Sequence, residues 1–97
     1  MNLRKEQIQI IESYLSQKPV LKAFLFGSYA TGYAHVESDI DILVELDYTE
    51  RIGLEFIQMQ LELQDLLKSK VDLVSTKGLS KYVKPFIDRE KKLIYER

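Results

Sequence analysis

Asp39 and Asp41 are separated by a single residue in the run Ser38-Asp39-Ile40-Asp41-Ile42-Leu43-Val44-Glu45. In an extended strand, side chains two apart leave the same face with Cα atoms roughly 6.5–7 Å apart, so both carboxylates reach one place. Two like charges beside Ile40, Ile42 and Leu43 are costly unless a cation offsets them. Mg²⁺ does so: it takes oxygen ligands, keeps several waters and shares substrate phosphate oxygens. Two such ions, about 3.5–4 Å apart, can hold the attacking and leaving oxygens of an in-line displacement. Asp72, central in Lys70-Val71-Asp72-Leu73-Val74, is the third carboxylate. It is expected to complete the second metal site or to accept the proton of an incoming hydroxyl.

A bare D-x-D occurs often by chance. What makes this one specific is Gly27-Ser28 upstream, after the apolar run Val20 to Phe26, with ten residues between Ser28 and Asp39. Glycine allows close backbone approach, and the turn's N–H groups with the Ser28 hydroxyl can cradle a phosphate.

The elements that must position these residues follow from periodicity. Ile8, Ile11 and Leu15 recur at helical spacing from Leu3 to about Ser16, with Asn2 as N-cap and Gln17-Lys18-Pro19 as the stop. Val20 to Phe26 reads as a buried strand ended by a tight turn, and Ser38 to Glu45 as a second strand. Thr49 is the expected N-cap of a long helix to about Leu67, striped by Ile52, Phe56, Met59, Leu63 and Leu66. Lys70 to Val74 is a third strand. A helical region begins at Gly78-Leu79-Ser80, and a fresh helix with Pro85 near its first position runs to about Glu90. Lys91 to Tyr95 forms the last strand. The order α-β-β-α-β-α-β predicts an α/β (α+β) fold, a small mixed sheet flanked by helices.

With 97 residues, 45% of them hydrophobic, there is room for one core, so residues 1–97 are expected to form a single domain. The 14 basic and 15 acidic residues leave a formal charge of −1, which disfavours direct nucleic-acid binding through a basic face. Cysteine is absent, excluding disulfides, thiolate zinc sites and a cysteine nucleophile. No apolar run approaches the roughly 20 residues of a membrane span, and the first residues carry no signal-peptide core. A complete, soluble, cytoplasmic chain is the expectation.

The set Gly27-Ser28, Asp39-Ile40-Asp41 and Asp72 resembles the nucleotidyltransferases of the DNA polymerase β superfamily, and within it the minimal nucleotidyltransferases. The likeness extends over most of the chain, to Lys70-Val71-Asp72-Leu73-Val74 and the ending Ile94-Tyr95-Glu96. It implies that Gly27 and Ser28 hold the phosphates of a nucleoside triphosphate, ATP. Asp39, Asp41 and Asp72 would be the catalytic carboxylates binding two Mg²⁺ ions. It further implies an antitoxin that transfers AMP to a tyrosine of a HEPN-type toxin partner. One position departs from the pattern: Thr31 stands where many relatives carry arginine, so another base such as Lys22 or Arg51 would have to serve. A triphosphate brings about four negative charges to three carboxylates, so this reading requires metal.

Two other readings use the same residues: an antitoxin that neutralises its partner by binding alone, and a transferase for a small-molecule hydroxyl. A toprim-like nuclease is disfavoured, since Gly27 stands where that pattern wants an acid at the end of the first strand. His35 reads as a solvated loop residue, and Ser38 as a tie at the strand entry. Tyr29 and Tyr33 are the tyrosines best placed to stack on a base, and Lys81, Lys84, Arg89, Lys91 and Lys92 read as a solvated basic face. Leu54 and Leu61 fall off the main stripe of the long helix and are expected to be partly exposed, as in a homo-oligomer or partner contact.

Overall fold

The computed structural model describes residues 2–35 and 37–97. Helix α1 (Lys5–Leu15) leads into strand β1 (Val20–Phe26), a short helix α2 (Ser28–Thr31) and strand β2 (Ile40–Leu46). Helix α3 (Glu55–Leu67), strand β3 (Val71–Ser75), a 3-10 turn at Thr76–Gly78, helix α4 (Lys84–Glu90) and strand β4 (Lys92–Glu96) complete the chain. The sheet runs β3-β2-β1-β4, with β2 and β3 parallel and the other two pairings antiparallel. It is therefore a mixed α+β sheet, as the sequence predicts.

One sheet face carries the core. Ala23 and Leu25 of β1, Ile40, Ile42 and Val44 of β2, and Val71 and Leu73 of β3 pack on Ile11 and Leu15 of α1 and Met59, Leu63 and Leu67 of α3. Each of the Val, Leu, Ile and Met side chains contributes roughly 1.5–3 kcal/mol when fully removed from water. The alternate residues, Asp41, Leu43 and Glu45 on β2 and Asp72 on β3, leave the opposite face, because successive strand residues point to opposite sides. Between α1 and α3, Tyr14 donates to Glu62 Oε1 at 2.5 Å and Lys18 reaches Glu55 and Glu62 at 3.7 and 3.8 Å. Burial, then the Glu62 carboxylate, holds the Tyr14 phenol well above its usual range.

Local details differ from the periodic reading. Helix α1 is capped at Arg4, whose backbone N–H donates to Gln7 Oε1 at 2.8 Å, rather than at Asn2. Thr49 caps no helix: its N–H and hydroxyl both donate to Asp47 Oδ1, a turn made by the aspartate side chain, and α3 starts at Glu55. The stripe steps Met59, Leu63, Leu67 along an inclined i+4 ridge, leaving Leu66 47% exposed while Leu67 is 7% exposed. Leu54, Ile57 and Leu61 form an exposed apolar stripe on the outer side of α3. Among the described residues, no helix is long and apolar enough to cross a membrane.

Candidate active site

The turn after β1 is a helix rather than a simple reversal. Gly27 adopts φ 70°, ψ −151°, a region open essentially to glycine alone, and α2 starts at once with Ser28. The Gly27 carbonyl accepts from Ala30 N–H at 3.0 Å and Thr31 N–H at 3.2 Å, closing the helical turn. Tyr29 and Ala30 are buried, which anchors the turn and disfavours Tyr29 as a stacking platform; Tyr33 is 84% exposed.

Phe26, the last residue of β1, pairs with Asp41, so the chain passes directly over the Asp41 side chain as it enters Gly27. A β-carbon at position 27 would meet Asp41 Oδ2 at 2.3 Å. On its other side Asp41 is in register with Asp72 across the parallel β2–β3 pair. Asp39 lies just before β2, with Oδ2 3.8 Å from Lys70 Nζ. The three sequence-selected acids and the Gly27-Ser28 turn thus share one corner of the sheet face opposite the main core.

Their charges act on each other. Partial burial, then Asp72, then Asp39 push the Asp41 carboxyl up to about 6. Burial is the larger cause, and the two neighbouring acids add a repulsion that a cation would relieve. Among the described residues no three His, Asp or Glu side chains close into a metal cage. Mg²⁺ does not need one, since it binds through one or two carboxylates plus waters and substrate phosphates. An all-oxygen donor set with a raised carboxyl, roofed by a glycine backbone, fits that ion.

Other expectations resolve differently. Thr31 donates its hydroxyl back to the Gly27 and Ser28 carbonyls at 3.4 and 3.3 Å, so it presents no positive charge. Lys22 pairs with Glu96 at 3.5 Å, on the sheet away from Asp41. Among the described residues, a basic side chain that does stand at the acids is Lys70, 3.8 Å from Asp39. It was hidden in the sequence because it reads as a strand start; its signal was its place two residues before Asp72. His35 and Ser38 serve the turn: Ser38 Oγ accepts from His35 N–H at 2.9 Å, and His35 Nδ1 from Glu37 N–H at 3.3 Å. Lys84 and Lys91 both pair with Asp88, at 2.8 and 2.7 Å, as expected of a solvated face.

Residues 9–97 match the family model described as polymerase beta, nucleotidyltransferase. This chain belongs to the polymerase β nucleotidyltransferase family. The nucleotidyltransferase is 41% identical over 95 residues to a provisionally named protein adenylyltransferase of Methanocaldococcus jannaschii, covering 96% of this chain and 89% of that protein. In three dimensions it is similar to a chain of a toxin–antitoxin complex with AMP-PNP, at TM-score 0.78 and 27% identity, over 97% of this chain and 75% of the other. It also shares the fold of a chain in a complex of tri-AMPylated Shewanella oneidensis HEPN toxin with MNT antitoxin, at TM-score 0.75 and 23% identity, covering 98% and 74% of the two chains. The fold is also similar to that of a provisionally named minimal nucleotidyltransferase, at TM-score 0.78 and 28% identity, over 91% of this chain and 89% of the other.

Proposed function

We propose that this nucleotidyltransferase transfers AMP from ATP to a tyrosine hydroxyl of a HEPN-type toxin and acts in the cytoplasm as its antitoxin. The observation that carries the reading is the Asp41–Asp72 register beside Gly27, which puts acids and a phosphate-turn backbone at one point. The relatives named as protein adenylyltransferases and the toxin–antitoxin neighbour with AMP-PNP support a protein acceptor.

Gly27 and Ser28 would receive the triphosphate, and Lys70 would add the positive charge that Thr31 does not. Asp39, Asp41 and Asp72 would hold Mg²⁺, which when bound neutralises the phosphates and polarises the α-phosphorus. The acceptor oxygen forms a bond to the α-phosphorus as the bond to the β-phosphate oxygen breaks and pyrophosphate leaves. Asp72, exposed at the sheet edge, would take the hydroxyl proton. Catalysis is then positioning and charge compensation. The exposed stripe Leu54, Ile57 and Leu61 offers the toxin or a second copy an apolar contact.

The test is incubation with α-labelled ATP, Mg²⁺ and the product of the adjacent gene. Label on the partner, lost in Asp41→Ala, is expected; no transfer, or equal transfer by Asp41→Ala, overturns the reading. A triple Asp→Ala variant that still rescues cells from the toxin would indicate neutralisation by binding alone.

A further inference from the structure

Strand β3 is an outer strand of the sheet, so half of its backbone groups have no neighbouring strand. Lys70 O accepts from Ile40 N–H at 2.9 Å and Asp72 faces Asp41, so the backbone of these even-numbered residues points inward to β2. The amides of Val71 and Leu73 point outward. Helix α3 reaches over that edge and meets both: Gln64 Oε1 accepts from Val71 N–H at 3.1 Å, and Gln60 Oε1 from Leu73 N–H at 2.9 Å, in partly buried positions.

The spacing matches on both sides. Residues one helical turn apart rise about 6 Å along the helix, close to the roughly 6.6 Å between strand residues two apart. Two glutamines at i and i+4 therefore stand in for the missing strand, and the residue they bracket is Asp72. A one-residue slip of β3 would turn Asp72 toward the core and Val71 toward the site.

We propose that Gln60 and Gln64 are positioning residues that lock the outer edge of β3 and thereby hold Asp72 against Asp41. The consequence for catalysis rests on the nucleotidyltransferase reading of Asp72; the clamp itself does not.

The experiment compares Gln60→Leu/Gln64→Leu with the wild-type chain, using backbone NMR and amide hydrogen exchange with no metal or acceptor. Expected are at least about tenfold faster exchange at Val71 and Leu73 and millisecond exchange broadening at Asp72, with the α1–α3 core still protected. Gln60→Glu, which keeps an acceptor oxygen, should retain protection at Leu73. Unchanged protection and line width at residues 71–73 in the double variant overturn the proposal. If the double variant fails to fold, Gln60→Leu alone decides, with Leu73 as the readout. Mn²⁺ binding followed by EPR reports the functional consequence. The double variant should weaken it about 10–100-fold, and should weaken it no further once Asp72→Asn is present. Equal weakening with and without Asp72→Asn overturns the link to Asp72. A wild-type chain that binds no Mn²⁺ counts against the metal reading, while the exchange data still decide the clamp.

Discussion

A β-carbon at Gly27 would lie 2.3 Å from Asp41 Oδ2, so the Gly27-Ser28 turn and the acidic strand sit this close only because position 27 has no side chain. Gly27→Ala should therefore displace the Asp41 carboxylate and force alanine into a φ 70° conformation. The expected cost is about 1–3 kcal/mol in urea unfolding, with adenylyl transfer reduced well beyond what the lost stability explains. Full activity in Gly27→Ala would show that the contact does not set the site.

The Asp41 carboxyl, pushed up to about 6, gives a pH dependence of known sign in metal-free protein. Its folded-state value lies above that of the unfolded chain, so the native state binds more protons between roughly pH 4 and 6. The penalty is fully present above pH 6 and is relieved as pH falls through that range. Asp41→Asn should remove it, raising stability at pH 7 by about 1–2 kcal/mol after allowance for solvent screening and flattening this part of the pH profile. Urea melts at pH 5 and 7 in EDTA make the comparison.

Lys70, 3.8 Å from Asp39 across an exposed pair, should matter more to substrate than to folding. Such a pair contributes about 0–1 kcal/mol to stability, so Lys70→Ala should melt close to the wild type. Its effect should appear as a few-fold rise in the KM for ATP with kcat little changed.

Leu63 is fully buried in the core beneath the sheet. Leu63→Ala should cost about 2–5 kcal/mol through lost burial and the cavity left behind. Since Leu63 lies on the opposite side of the sheet from Asp41 and Asp72, the folded fraction should keep its activity at low temperature.

Much of this was legible in the linear chain. Asp39-Ile40-Asp41 and Gly27-Ser28 are read from type and spacing, and the strands Val20–Phe26 and Lys70 to Val74 from apolar runs, because these signals are local; the third strand forms one residue later, at Val71–Ser75. Elements were misread where a side chain had two possible partners. Thr49 matches the pattern of a helix cap yet bonds to Asp47, and the Gly27 turn continues into a helix because Tyr29 and Ala30 find burial there. Periodicity does not carry such competition.

The sequence by itself determined which residue types could do chemistry and that Asp39 and Asp41 stand two apart at a strand start; the strand itself begins only at Ile40, with Asp39 just before it. Only the tertiary structure decided that Asp72 stands beside Asp41, that Lys70 rather than Lys22 reaches the acids, and that Gln60 and Gln64 bracket Asp72 from α3. Those relationships depend on the parallel register of β3 on β2. That register follows from Val71 and Leu73 packing into the same core as Ile40 and Ile42, and no local pattern in the chain encodes it.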